Sequence, residues 1–212
     1  MQPLDPHQSM ATARQRFFAR EGFAADGGYD EPWAEASFGP VPYAVPNPPT
    51  RAAALRVHDL HHVLTDHGTS WREESEISAW ELGSGGAGRY PYAWFIALFG
   101  LFVGLVALPV ATWRAFLRGR GSSNLYRERS IVPWLPRSVA EARASLRVRT
   151  TPAAPSLGAA LSFLGWSALA LAASAAFVLG SPVLVALALL RRLKALATCP
   201  LSYRSSCSAS AR

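Results

Sequence analysis

Residues 157–190, LGAALSFLGWSALALAASAAFVLGSPVLVALALL, run for 34 positions without a charged side chain. That run limits the folds open to the chain more than any other feature. A soluble domain of 212 residues has little interior in which to hide it, and in lipid each backbone N–H and C=O must be satisfied within the segment. A transmembrane helix, or a re-entrant hairpin turning at Ser181-Pro182, is the expectation. Basic residues stand on both sides, Arg143 to Arg149 before the run and Arg191 to Lys194 after it. Such flanks suit a hairpin better than a single crossing, although two full spans need about 40 residues. Residues 151–156 read as a linker, and 191–212, basic and rich in serine, as a disordered tail.

A second uncharged run covers residues 93–113. At 1.5 Å per residue it is roughly as long as a bilayer core is thick. It can also be a helix buried on all sides, or one that lines an apolar cleft. Gly100 and Gly104 would admit a second helix or a polyisoprenoid chain at close range, and Pro109 should kink or end the run.

Charge is segregated along the chain. Lys and Arg stand against Asp and Glu as 7 to 12 in residues 1–90, 9 to 2 in 91–150 and 5 to 0 in 151–212. Basic residues beside apolar runs point to anionic lipid headgroups. No aromatic-and-basic pattern of a nucleic-acid module is present, so nucleic acid is not an expected partner. The two cysteines, Cys199 and Cys207, form neither a disulfide framework nor a zinc-finger spacing. The first 18 residues lack the apolar core of a signal peptide and the basic composition of a transit peptide.

The chemistry lies upstream, in 51–82. There HDLHH is followed after eleven residues by a glutamate, which sets out His58, Asp59, His62 and Glu74. On a helix His58 and His62 leave the same face one turn apart, and Asp59 lies about 100° round from His58. Thr50 is a plausible N-cap for a helix running to about residue 65. After a turn at His67-Gly68-Thr69, Ser70 and Glu73 have capping-box spacing, so a second helix should begin at Trp71 and end at the glycines after residue 82. Folding back as a hairpin, it would bring Glu74 to the two imidazoles. Two imidazoles and two carboxylates suit a borderline divalent metal: zinc, iron(II) or manganese. Glu81, on the face of Glu74, would be a further ligand or would orient an imidazole. His61 and His67 are expected either in solvent or orienting the ligands, and His7 at the surface. Upstream, 9–21 reads as an amphipathic helix burying Phe17 and Phe18. Residues 38–50, with five prolines, read as an extended strap outside any sheet.

Several metal chemistries fit less well. HxxHH resembles the boxes of di-iron desaturases and hydroxylases, which need more histidines than the five present. Zinc peptidases use HExxH, and Asp59 is one methylene shorter than that catalytic glutamate. A phosphohydrolase of the HD type lacks a clear upstream histidine and downstream aspartate here.

The residues do resemble one family, the ubiquinone (coenzyme Q) biosynthesis proteins called Coq four and their bacterial relatives. The signature of that family, HDxxH, eleven residues and E, is met by His58, Asp59, His62 and Glu74. FFAREGF, YDEPW, GPVP, PNPPTR, HDLHHVLT, GTSW and EISAWEL are similar as well, over about residues 12–149. Asp66, His67 and Glu73 depart from the pattern, standing where relatives tend to have Gly, an aromatic and Gly. The resemblance implies a mostly α-helical fold, a bound divalent metal usually taken as zinc, and a cleft for a prenylated quinone precursor. It implies membrane attachment, removal of the C1 ring carboxyl with hydroxylation there, and a part in organising other quinone-biosynthesis proteins.

The resulting expectation is an all-α chain. A metal-binding helical domain with a hydrophobic cleft fills 1–150, and an apolar membrane segment follows. It would sit at the cytoplasmic face of a bacterial inner membrane, with homodimerisation open. His58, Asp59, His62 and Glu74 would hold the metal and carry catalysis, and arginines from Arg114 onward would hold a carboxylate or lipid phosphates. Zinc has no redox chemistry, so an oxidative decarboxylation needs iron or direct oxygen attack on an electron-rich ring. Two other readings remain: a non-catalytic lipid-presenting scaffold, and a metal hydrolase acting on a lipid.

Overall fold

The computed structural model describes residues 5–38 and 41–198. Cys199, Cys207 and most of the expected disordered tail lie outside those residues. The described chain is mostly helical: α1 (Met10–Glu21), a hairpin of β1 (Trp33–Phe38) and β2 (Val41–Pro46), α2 (Pro49–Thr65), α3 (Trp71–Gly83), α4 (Pro91–Ala107), α5 (Pro109–Gly119), α6 (Val139–Ser145) and α7 (Leu157–Thr198). It divides into two compact units, Met1–Ala170 and Leu171–Arg212.

The helix ends follow local chemistry. Ser9 caps α1 through its hydroxyl, and Ser70 and Ser138 close capping boxes with Glu73 and Glu141. Helix α2 starts two residues earlier than Thr50 would set it, with Pro48 as N-cap and Pro49 at N1, where the missing N–H costs nothing. It ends at Asp66 in the left-handed region, φ 56° and ψ 42°. Glycine is the usual residue at such a C-cap, and aspartate is one of the few other side chains that tolerate the position. Arg143 of α6 supplies further acceptor relief, donating to the carbonyls of Leu64 and Val63 at the end of α2.

The strap of prolines is in fact half of a β-hairpin, and this corrects the sequence reading. Trp33 pairs with Pro46 and Ser37 with Pro42 in antiparallel register. A two-stranded sheet has an outer edge on each strand, and there a proline's lack of an N–H is tolerated.

The 93–113 run does not form one helix. It breaks at Leu108 (φ −143°, ψ 49°), and Pro109 opens α5. Helix α4 keeps 17 residues, about three short of a typical span. Both α4 and α5 pack on α3. Gly100 lies over Ser78, and Gly104 lies over Ser75 and Thr112, so these glycines admit helices α3 and α5. One core, containing Phe17, Leu60, Leu64, Tyr126 and Val139, joins α1, α2 and α6. A second, containing Leu82, Leu101 and Phe116, joins α3, α4 and α5, with Phe163 and Trp166 of α7 packed against it.

Helix α7 continues through Ser181-Pro182, so the re-entrant turn expected there is absent. Its segment Leu157–Gly180 is long and apolar enough to cross a membrane.

A methyl group at residue 100 should reverse the usual propensity gain. Gly100→Ala would gain about 1 kcal/mol from helix propensity alone, but a Cβ there collides with Ser78. We expect a net loss of roughly 1–3 kcal/mol, read as a lower denaturation midpoint.

Candidate metal centre

The facing sides of α2 and α3 build the site. His58, His61 and His62 on α2 are all buried, as is Glu81 on α3, while the Glu74 side chain keeps 32 % exposure. Glu74 and Glu81 are seven residues apart, two helical turns, and therefore meet α2 at two levels.

At the inner level Glu81 is fully buried, and one oxygen, Oε1, receives both His58 Nδ1 at 2.8 Å and His61 Nδ1 at 2.7 Å. His61 Nε2 accepts the backbone N–H of Leu125 at 2.9 Å, so its proton must sit on Nδ1 and point at Glu81. Asn124 donates to the carbonyl of Glu81, the hydroxyl of Ser84 and the carbonyl of Gly86. That fixes the segment from which Leu125 reaches His61. With His58 Nδ1 committed to Glu81, its Nε2 is turned outward to the second level.

At that outer level His58 Nε2 and His62 Nε2 are 3.1 Å apart, and the Glu74 carboxylate lies 3.4 Å from the first and 3.5 Å from the second. Charge-assisted hydrogen bonds run to about 2.7–2.9 Å, so the carboxylate contacts are long for direct pairing. Four ligands arranged tetrahedrally about zinc, with bonds of 2.0–2.1 Å, would stand about 3.3–3.4 Å from one another. The three separations here are near that edge length. His58, His62 and Glu74 could hold a metal ion, each offering one donor atom. His58, His61 and Glu81 also cluster, but His61 Nε2 is used by Leu125, and both Nδ1 atoms face a carboxylate already receiving them. That group orients the ligands.

Electrostatics agree with this division. Burial would push His58 down, but the Glu81 and Glu74 carboxylates outweigh it and hold its pKa well above 6.5. The same burial takes His62 from 6.5 to about 4, so its ring is neutral with a lone pair to give. Its Nδ1 is buried with no hydrogen-bond partner among the described residues. Burial raises the carboxyls, yet the neighbouring histidines dominate and lower Glu74, and lower Glu81 to about 2. The result is two carboxylates and a neutral imidazole around one excess positive charge, a charge balance that a divalent cation can also supply.

Asp59 stands apart from that triangle. Its Oδ2 accepts the hydroxyl of Tyr29, and burial raises its pKa from 3.8 to about 6. Tyr29 is held by Asn47, whose side-chain amide donates to the carbonyls of Gly28, Tyr29 and Glu31, and by the guanidinium of Arg56 over its ring at 4.7 Å. Of the four expected ligands, the structure brings His58, His62 and Glu74 together and gives Asp59 to tyrosine. His61 and His67 are buried, not in solvent; His67 Nε2 lies 3.5 Å from Glu76. Glu73 bonds Ser70 and the N–H of Gly68 in the capping turn. Asp66 lies 3.9 Å from Arg20. None of Asp66, His67 and Glu73 enters the triangle.

The role of Leu125, and that of Tyr29, which the sequence marked only as the first residue of YDEPW, could not be read there, because they depend on contacts across 64 and 30 residues. Glu81 did carry a signal, through its shared face with Glu74. No family model, curated protein or solved structure matches the chain.

Glu81→Ala would strand two buried N–H groups and should lower stability by about 3–5 kcal/mol, as loss of one partner from a buried charged cluster does. Chemical denaturation should show a much smaller loss for Glu81→Gln, whose carbonyl can still accept.

Proposed function

We propose that the chain is a metal-dependent, membrane-associated protein of quinone biosynthesis, acting on the ring of a prenylated benzoquinol precursor as the Coq-four proteins do. The observation that carries the metal is the triangle of His58 Nε2, His62 Nε2 and Glu74, with its edges of 3.1, 3.4 and 3.5 Å. The substrate class rests on the resemblance in 12–149 and on the apolar character of α4 and α7. Zinc is the favoured ion for two imidazoles and a carboxylate, with iron or manganese compatible with the same donors.

His58, His62 and Glu74 would hold the ion, which would supply Lewis-acid polarisation of a bound carboxylate. The chain's own groups do the rest. Glu81 fixes the His58 tautomer, and Phe17, stacked on the His62 ring at 5.0 Å, holds that imidazole flat against α1. Asp59, with Oδ2 occupied by Tyr29, keeps its other oxygen for a substrate hydroxyl or a proton. Phe95, Phe99 and Phe102 form a row along α4, with centroids 6.1 and 6.4 Å apart. An isoprenoid tail would lie against that row, with α7 anchoring the protein at the cytoplasmic face of a bacterial inner membrane.

A scaffold reading draws on a different observation. The ligand helices are tied into the core through His61 and Leu125, so a bound ion would also stiffen the hairpin and could serve the assembly of other quinone-biosynthesis enzymes.

Metal analysis of the purified full chain should find one divalent ion per chain. Glu74→Gln and His62→Ala should each lose it, by at least the roughly 10–100-fold in affinity seen for lesser changes around metal sites, with helicity by circular dichroism unchanged. Loss of turnover of a C1-carboxylated prenyl-benzoquinol in the same variants supports the enzyme. A metal-replete wild type that never turns over this substrate favours the scaffold, and product formation without oxygen favours a hydrolase.

A further inference from the structure

A second polar site lies away from the metal triangle. At the corner where α4 gives way to α5, a cavity of about 480 Å³ is lined by Arg72, Arg114 and Arg118, with Glu76, the apolar corner 108–111, and Thr150 and Pro152. Glu76 is committed, to Arg72 at 2.8 Å and to His67 at 3.5 Å. Among the described residues the Arg114 and Arg118 side chains make no hydrogen bond and no ion pair within 4.0 Å; Arg118 feels the Glu76 carboxylate only at longer range and keeps its Nε buried without an acceptor. They are four apart on α5, so both guanidinium groups leave one face. The amides of Val110 and Ala111, in the first turn of α5, have no intrahelical acceptor. Three cations against one already paired carboxylate form a receptor for an anion.

The surroundings say where that anion comes from. Leu108, Pro109, Val110 and Ala111 line the cavity, Val110 at 62 % exposure, a poor setting for a freely soluble ion and a suitable one for the head of an amphiphile. The chain itself adds a second argument. Thr150 and Pro152 in the cavity wall precede by seven and five residues the start of α7 at Leu157, the helix long and apolar enough to cross a membrane. The linker is pinned there by the Ala153 N–H on the carbonyl of Leu117, at 3.2 Å. The first turns of α7 pack beside α5 through Phe163 on Trp113 and Phe116, and Trp166 stacks on Trp94 of α4. The opposite side of those turns is bare, with Leu157, Leu161 and Leu164 exposed. If α7 enters the bilayer at its first residue, the arginine cavity must sit at the level of the lipid phosphates.

We propose that Arg72, Arg114 and Arg118 form a binding site for the phosphate of an anionic membrane phospholipid, at the point where the chain enters the bilayer. The two unpaired arginines take the phosphate oxygens, a geometry that guanidinium groups match better than ammonium groups do. The 108–111 corner meets the first acyl carbons. Arg72, already tied to Glu76, closes the rim. The site rests on the membrane association proposed above and not on the metal chemistry.

The test uses the full chain in nanodiscs of phosphatidylcholine, alone or mixed with phosphatidylglycerol. After detergent extraction, the lipid retained by the intact protein is read by native mass spectrometry. Wild type should retain phosphatidylglycerol over phosphatidylcholine by about tenfold or more, and Arg114→Gln/Arg118→Gln should lose that preference. The same variant should keep its helicity, since Arg114 is exposed and Arg118 is half-buried in the cavity wall, neither belonging to the His58, His62 and Glu74 triangle. Arg114→Lys/Arg118→Lys should retain part of the preference. Equal retention of the two lipids by wild type overturns the proposal. So does displacement of the bound lipid by inorganic phosphate at millimolar concentration, which would make the site one for a soluble anion. Failure of the wild type to float with vesicles of either composition would remove the membrane reading first, and the headgroup site with it.

Discussion

One buried oxygen organises this domain. Oε1 of Glu81 receives two imidazole N–H groups, and everything around the metal triangle depends on that double acceptance. An ionised carboxylate with no water contact is costly unless it is paired and hydrogen-bonded. Its Oε1 meets both conditions only if α2 and α3 lie at one register, while Oε2 is buried with no hydrogen-bond partner among the described residues. The pairing also reaches a third segment, because Leu125 donates to His61 Nε2 and so leaves the His61 proton on Nδ1, facing Glu81. The two imidazole bonds to Oε1 and the Leu125 bond therefore need all three segments in place at once. That condition ties the helix hairpin to the loop at 124–126 with more specificity than apolar packing could.

The same arrangement explains why α3 is the central element. One edge carries Glu74 and Glu81 towards α2, and the adjoining side carries Ser75 and Ser78 into the glycines of α4. Small residues let α4 approach closely, so that α3 is covered on both sides despite its many polar residues. Its first turns reach two different chemistries: Glu74 enters the triangle, while Arg72 and Glu76 enter the cavity beside α5. The acidic half of the chain thus supplies the cation site, and the basic half supplies most of the anion site. These are the two halves the charge count had separated.

How far the site could be read in the sequence depended on the range of the interaction. The capping box of Ser70 and Glu73 acts over three residues, and α3 begins at Trp71 as that spacing predicts. The pairing of His58 with His62 acts over one helical turn, and their rings do share a face. Glu74 needed only a short turn between two well-capped helices to come back to them. Asp59 was assigned with its neighbours by motif, but a side chain 100° round the helix from His58 meets a different neighbour. Tyr29 was that neighbour. The prolines of 41–46 were read by their usual avoidance of sheets, which a two-stranded hairpin with two open edges does not enforce.

By itself, the sequence determined the elements with a local cause: helix starts and stops, the register of two histidines, the uncharged length of α7 and the separation of charge. Only the tertiary structure decided which carboxylate faces the imidazoles' outer nitrogens and which holds their inner ones. It also gave the glycines of α4 to α3, and brought the linker before α7 beside the arginines of α5. Each of these depends on segments distant in the chain meeting at a distance of a few ångströms. No periodicity or spacing encodes such a meeting, because it is selected by the joint burial of the apolar faces and the need to satisfy every polar group they enclose.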